Sequence, residues 1–576
     1  MYLTEFLLKN GTDVNELGII DFMTNYYQSF INYMKRYVLD NKTILILVPN
    51  ENIDLINLLK ETFINELNEL RNKVEQFEEN YYNSNDVNNK IQKSVLDVLL
   101  EDGIFPTYSF PRNVVGFNIE DKYGKKLEQE PDRSLDLAIS EYAPGRVLVV
   151  NKKTYKSGGI YSFHSKFNYD EMSHPATPYF KSKDYFNHIH FCTNKSCNWI
   201  SFDKPDDGKC PFCGSSEIEE QNLLKPWGFA PLNGKNINDA EADVELSYAE
   251  APSYSAPIEE DDMIQFEKYK SLRYSKLSNQ PLVILNQGPE GKGFMICEDC
   301  GAAIPGDDGT LLENNKVTQP FTHPYKKEKC IHPHNKIINT FLGHKFLTDM
   351  ILFEIKLDNR MIDTSLEGLW IKSAALTLSE AMALGASNLL DIDFNDLKNG
   401  YRIRHGVDYT YIDIYLFDSL SSGAGYSSML ENHIGELFEE TEKVLECKNN
   451  CKTACHDCLK HYWNQRVQYD LDRHLAKQLL NWCKFNELPV EINFDEQVKL
   501  VNGLKEYILV DKYFDIQIDK NKMFVVNGDY KKQICIYPAM WNSQYRISSD
   551  VLAISDKLLL RALPNAYAKI LTCIND

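Results

Sequence analysis

Of 576 residues, 43% are hydrophobic and 12% aromatic, enough to bury several cores, so a disordered chain is excluded and about three to four domains are expected. Lys and Arg number 62 against 83 Asp and Glu, a net charge of −21, which confines any contact with nucleic-acid phosphates to local basic patches. No basic stretch leads into an apolar run at the start and no run of about 18 apolar residues occurs, so the reading is an unsecreted, cytoplasmic protein without a membrane partner, whose 14 cysteines are better taken as zinc thiolates than as disulfides.

Residues 1–97 read as a helical N-terminal region, because Ile56, Leu59, Phe63, Leu67 and Leu70 recur at helical spacing; TILILVPN just before them reads as a buried strand. Residues 98–238 read as β-rich, with alternating apolar positions punctuated by Pro and Gly. Within them Cys192 and Cys197 form one knuckle, and Cys210 and Cys213 a second, in FCTNKSCNWISFDKPDDGKCPFCGS. Zinc takes four such ligands in a tetrahedron, and a hairpin that joins two short Cys turns supplies them, which is a zinc ribbon. Residues 239–262, DAEADVELSYAEAPSYSAPIEEDD, carry nine acids among Ser, Pro and Ala and read as a linker.

A second domain spans 263–485. FEKYKSLRYSK interleaves Lys268, Lys270, Arg273 and Lys276 with Tyr269 and Tyr274, a pattern suited to phosphates and stacked bases. Arg402 and Arg404 form another basic group, and Arg466 and Arg473 a third; the bland alternative for each is a solvated charged face. Cys297, Cys300 and Cys330 need one histidine to close a metal site; His323 is taken as the ligand, with His332 and His334 as the alternatives that spacing leaves open. Cys447, Cys451, Cys455 and Cys458 complete a site unaided, between flanks of helical periodicity, and their spacing favours zinc over an iron–sulfur cluster. Two to three structural Zn2+ ions follow. Residues 486–576 read as a small β-rich appendage with a turn at Asn527 and Gly528.

FPTYSFPRNVVGF, LAISEYAPGRVLVVNKKTYKSGGIY, the four-cysteine ribbon ending in KPWGFAP, NTFLGHKFLTDMILFEI, IYLFDSLSSGAGY and ACHDCL run in the order seen in the MrfA-type zinc-binding (MZB) helicase-associated family. Over about residues 98–475 the chain resembles that family, most of all its motorless DrmB branch from the DISARM phage-defence system, whose partner DrmA is the helicase. It is more distantly similar to the repair helicase MrfA. The turn SSGAGY departs from the family, which more often has a second glycine before Gly-Ala-Gly. The resemblance implies a multi-domain α+β fold with a helical zinc-knot domain. It also implies DNA and a separate helicase ATPase subunit as partners, together with other subunits of the defence system.

These residues hold no G-x-x-x-x-G-K-[ST] phosphate loop; GPEGKGF at 288–294 has the wrong glycine spacing and no hydroxyl after Lys292. The expected role is therefore an accessory zinc- and DNA-binding subunit that does not itself hydrolyse ATP. Two alternatives stand beside it. One is a protein scaffold recruiting a defence nuclease or methyltransferase. The other is a degenerate phospholipase-D-like nuclease, whose half-sites would be His164, Lys166 and Asp170 in HSKFNYD, and His344 and Asp349 in GHKFLTD, where Phe346 stands in the lysine's place.

Overall fold

The computed structural model describes residues 114–575 apart from 167–173, 195–196, 198, 238–247, 250–252, 255–259, 307–316, 323–328, 366–368, 420–424 and 512. The helix expected at 56–70 and the strand before it lie outside the described residues.

Helix Leu135–Glu141 (α1) precedes a hairpin of Val147–Val150 (β1) and Lys153–Ile160 (β2). Phe186–Cys192 (β3) and Ile218–Leu224 (β4) form a second hairpin, and Phe229–Pro231 (β5) returns to pair with β2. Next come Ser253–Tyr254 (β6), Leu272–Asn286 (β7), Phe294–Cys297 (β8) and the 22-residue Ile337–Asp358 (β9). Helix Ile371–Leu390 (α2) leads to a hairpin of Leu397–His405 (β10) and Tyr409–Asp418 (β11).

β9 is the spine. It runs antiparallel to β7 along most of its length, antiparallel to β8 at its start, parallel to β4 at Phe341 and Leu342, and antiparallel to β11 over its second half. The result, among the described residues, is one sheet of eleven strands. It crosses the boundary that the acidic segment suggested, since β4 and β9 come from opposite sides of that segment. Nor are the described residues of 239–262 a free tether. Ser253 and Tyr254 pair with Val283 and Leu282, and the Ala249 N–H donates to Ser140 Oγ at 2.7 Å. Tyr254, an apolar ring among acids, provides the anchor that composition averaged over the segment hides.

One face of the sheet carries Ile351, Phe353, Ile355, Ile412, Ile414 and Leu416, buried under α2. Each such side chain contributes about 1.5–3 kcal/mol by leaving water. α2 is rich in Ala and Leu, strong helix formers, and it ends at Asp391 in a left-handed conformation (φ 52°). Helices Ile434–Leu445 (α3) and Arg473–Phe485 (α4) pack on α2, as the apolar periodicity of both flanks of the third cysteine group leads one to expect. At Gly385 a Cβ would stand 3.0 Å from the Thr441 backbone nitrogen, so the small residue permits the close α2–α3 approach.

The C-terminal part is Phe494–Asp511 (α5), Asp515–Asp519 (β12), Lys522–Asn527 (β13), Tyr530–Tyr537 (β14), Leu552–Ser555 (β15), Asp556–Arg561 (α6) and Leu563–Asn575 (α7). The turn expected at Asn527 and Gly528 joins β13 to β14, with Gly528 at φ 57°. β12 to β14 form a meander, and β15 adds in parallel, with its own core of Val501, Leu504, Val525, Ile534 and Ile554. It is more than an appendage, because Ala539 and Met540 enter the main core, Trp541 bridges to Ile362, and the Asn542 N–H donates to the Met361 carbonyl.

Candidate metal centres

Among the described residues four groups of ligand atoms converge, each within 4.8 Å; three are built on cysteines, and the fourth, His174 with Asp299 and His332, shares its His332 with the second of these. A zinc ion with bonds of about 2.3 Å to four tetrahedral sulfurs sets them about 3.8 Å apart, whereas a disulfide sets them about 2.05 Å apart. The observed separations fit the first arrangement. Cys192 Sγ is 3.6 Å from Cys213 Sγ, and Cys197 Sγ is 3.5 Å from Cys210 Sγ. Cys447 and Cys455 stand 3.6 Å apart, Cys455 and Cys458 3.7 Å, and Cys451 and Cys458 3.8 Å. Four sulfurs this close enclose one ion, whereas an iron–sulfur cluster spreads its cysteines over separate irons.

The first centre grows from the β3–β4 hairpin, whose last pair is Cys192 with Ile218. Beyond it the Cys192 N–H donates to the Trp199 carbonyl, folding the first knuckle back. The second knuckle turns at Gly214, φ 71°, so that the Gly214 N–H reaches the Cys210 carbonyl. The third centre lies between α3 and α4. Its Arg473 donates to the Cys451 carbonyl from both Nε and Nη2, at 3.0 and 2.9 Å, and to Asn450 Oδ1 at 2.9 Å, clamping the knot to the start of α4.

The second centre joins β8 to the segment after residue 328. Cys330 Sγ is 3.5 Å from Cys300 Sγ and 3.6 Å from Cys297 Sγ, and the fourth position is taken by His332, whose Nδ1 is 3.5 Å from Cys297 Sγ and 3.4 Å from Cys330 Sγ. His323, given that place by sequence, lies outside the described residues; His334 begins the turn His334–Lys336 and is not among the converging atoms. The readable signal was Cys330-Ile-His332, because residues two apart on extended chain point to the same side.

Within each centre the thiols are driven in opposite directions. A backbone N–H from Cys451 brings Cys447 down to about 6, while burial pushes Cys458 up to about 12. Hydrogen bonds from Cys297 and Cys300 bring Cys330 down to about 3, while hydrogen bonds to Cys297 and Cys330, and burial, drive Cys300 well up. In the ribbon, burial pushes Cys192 up to about 11, while hydrogen bonds from the Ser215 N–H and the neighbouring thiols outweigh burial and lower Cys213. A dication among the four resolves that contest by stabilising every thiolate, and its binding releases protons. The donors thus fit zinc, and with four protein ligands each centre is of the closed, structural kind.

The basic residues singled out in the sequence fare differently. Lys268 is exposed and faces Glu439 at 3.2 Å; Lys270 is exposed. Arg402 is fully buried, its Nε 2.6 Å from Asp413 Oδ2, and Arg404 Nε reaches the same oxygen at 2.8 Å. Arg273 pairs with buried Glu354 at 2.7 Å. Arg402 is therefore not presented to a phosphate, and Arg473 is spent on the third centre. Arg466 lies on the turn Tyr462–Val467. The sequence reading missed Glu354 and Asp413, the carboxylates that absorb these charges.

The second half-site of the nuclease reading is not assembled, and Asp170 of the first lies outside the described residues. His344 is buried with Nε2 2.7 Å from Asp136 Oδ1, Lys398 holds the other carboxylate oxygen at 3.2 Å, and Phe346 packs into an apolar cluster; His164 is exposed on the turn Phe163–Lys166. An enclosed histidine cannot reach a phosphorus atom.

The family model for the MrfA Zn-binding domain, MZB, matches residues 378–459, from within α2 through the third centre. The chain carries an MZB domain. Over 513 residues it is 28% identical to Druantia protein DruE of Escherichia coli (strain UMEA 4076-1), an alignment covering 83% of this chain and 27% of that protein. It thus spans about a quarter of that relative's length. Crystal structures of the DUF1998 helicase MrfA are more remote. The DNA complex is 12% identical with a TM-score of 0.29, covering 67% of this chain and 38% of that one; the complex with DNA and AMPPNP is 10% identical with a TM-score of 0.22, covering 65% and 32%. At these scores the likeness in shape carries no argument. Among the described residues no helix is long and apolar enough to cross a membrane.

Proposed function

We propose that this MZB-domain protein is the zinc-stapled, non-motor component of an antiviral defence machine, handling DNA alongside an ATP-driven helicase chain in the manner of the motorless DISARM subunits. The observation that carries the reading is the similarity to the defence protein DruE, which takes in 83% of this chain but only 27% of that protein. Most of that relative has no counterpart in the aligned stretch, and these 576 residues include no phosphate loop. The three centres serve as local staples, one at the end of a hairpin, one joining β8 to the stretch after residue 328 and one between two helices, which suits a rigid platform beside a motor.

The test is purification of the chain from its native gene neighbourhood, with identification of the bound proteins. An ATPase should co-purify, and DNA should stimulate ATP hydrolysis by the assembly but not by the zinc-loaded chain alone. Hydrolysis by the chain alone, surviving removal of all other proteins, overturns the non-motor role. Co-purification of a nuclease or methyltransferase without an ATPase favours the scaffold reading instead.

A further inference from the structure

The three cysteine centres differ in how far their sulfurs are shielded. In the ribbon Cys192 and Cys210 are buried in a cluster with Trp199 and Phe212. In the second centre Cys297 and Cys300 are buried in a cluster with Tyr161, Val317 and Phe321. None of the four thiols of the third centre is buried, and the stretches between them, 448–450, 452–453 and 456–457, are exposed. A small solute in water therefore reaches these sulfurs first. Each also has a second sulfur at hand, since Cys447 and Cys455 stand 3.6 Å apart and Cys451 and Cys458 3.8 Å.

The same centre sits at one end of a line of polar contacts. Arg473 is buried, and besides its bonds to the Cys451 carbonyl and Asn450 Oδ1 its guanidinium donates to the Leu445 carbonyl at 3.4 Å, while its backbone N–H donates to the Thr453 carbonyl at 3.0 Å. The arginine thus depends on the knot for its acceptors. Its neighbour Asp472 donates its N–H to Thr377 Oγ1 on α2 at 2.8 Å, caps α4 through Oδ1, and holds Lys557 and Arg561 of α6 through Oδ2. If the knot opens, the Arg473 guanidinium is left buried with unmet N–H groups, a state that costs free energy unless the start of α4 moves as well. The movement falls on Asp472.

We infer that the third centre is an oxidant-sensitive switch, which a peroxide empties of zinc before the other two and whose opening loosens the start of α4 and its joint with α6. A thiolate of the knot attacks one peroxide oxygen, the O–O bond breaks, and the sulfur becomes a sulfenic acid as hydroxide leaves. A neighbouring thiolate, as Cys455 is to Cys447, then attacks that sulfur and expels a second hydroxide. One S–S bond forms, two electrons pass from the sulfurs to the peroxide, and two protons complete two water molecules. The two thiolates that remain no longer make a tetrahedral set, and the ion is released as Zn2+. With zinc bound the cysteine ligands are all thiolates, so exposure sets the order in which the centres react. The inference rests on the zinc-binding reading of the centres and not on the DNA-handling role.

The experiment is a hydrogen peroxide titration of the zinc-loaded full chain, followed by a zinc-sensitive dye, by mass-spectrometric mapping of disulfide-linked and alkylated cysteines, and by amide hydrogen exchange. One zinc ion per chain should leave at a dose about tenfold lower than the others require, with a disulfide mapped among Cys447, Cys451, Cys455 and Cys458 and the ribbon cysteines unmodified. At that dose exchange should accelerate in the knot, at the start of α4 and across α6, and dithiothreitol with added zinc should restore it. Cys455→Ser, lacking that ion from the start, should release none at the low dose; the cysteine map of the wild-type chain decides the matter if this variant fails to fold. Release from all three centres at one dose, or first from the ribbon or the second centre, overturns the switch. A disulfide in the knot with exchange at α6 unchanged overturns its transmission to the joint. A wild-type chain whose third centre holds no zinc before peroxide is added overturns the metal reading of that centre together with the switch.

Discussion

Arg402 and Asp413 meet inside the sheet, where a charge is tolerated only with a partner. Removing one member of a buried pair costs about 3–5 kcal/mol, because the other is left uncompensated. Arg402→Met should therefore lower the stability of the chain by about that amount in urea denaturation, and Arg404→Met, at the half-exposed rim, by clearly less. Asp136 makes a pH-dependent case. Burial alone would raise its pKa, yet the hydrogen bond from His344 and the charge of Lys398 hold it well below the ordinary carboxylate range. A carboxylate depressed in the folded state adds stability above its unfolded pKa, near 4, and loses it as pH falls below that value. Asp136→Asn should be less stable than wild type at pH 7, and the difference should shrink in melting curves taken from about pH 5 down to about pH 2. A gap that stays constant with pH would show that the Asp136 charge plays no part.

What was legible at the level of elements depended on the range of the interaction. A zinc knuckle is two cysteines and a turn, so spacing alone announces Cys192, Cys197, Cys210 and Cys213, as it does the four cysteines between α3 and α4. The amphipathic flanks of that knot were equally readable. Charge partners were not, since Arg273 and Glu354 lie 81 positions apart and meet only through the register of β7 with β9. Part of it could have been read, because RIRHGVDYTYID is a hairpin that sets Arg402 opposite Asp413. The C-terminal element was underestimated for the same reason. Lys557 Nζ lies 2.6 Å from Asp472 Oδ2, and Arg561 reaches the same oxygen at 3.3 Å, while Oδ1 of Asp472 caps α4. Lys557→Met leaves a buried carboxylate with Arg561 alone, and should cost about 3 kcal/mol. Amide hydrogen exchange should accelerate across β15 and α6 and at the start of α4 together; acceleration confined to β15 and α6 would show that the joint transmits nothing.

Among the described residues, the three centres divide the work of holding together the sheet and the helices packed on it. The first closes the β3–β4 end, the second ties β8 to the stretch after 328, and the third fastens α3 to α4 beside the C-terminal joint. An ion held by thiolates, or by three thiolates and His332, contributes its free energy of binding to folding. Elemental analysis should give about three zinc ions per chain. Cys455→Ser should remove one of them and loosen α3 and α4, while the ribbon keeps its ion. Loss of a second ion in that variant would show that the centres are not independent staples. Acid should act in the same direction on all three. Protons compete with zinc for the thiolates, so metal-dependent stability is present at neutral pH and lost as pH falls, with zinc release and unfolding coinciding in a titration followed by a zinc-sensitive dye and by circular dichroism. Unfolding that precedes zinc release would place the acid-labile point elsewhere, in carboxylates such as Asp136. Zinc release without any change in fold would remove the centres from the list of what holds the sheet together.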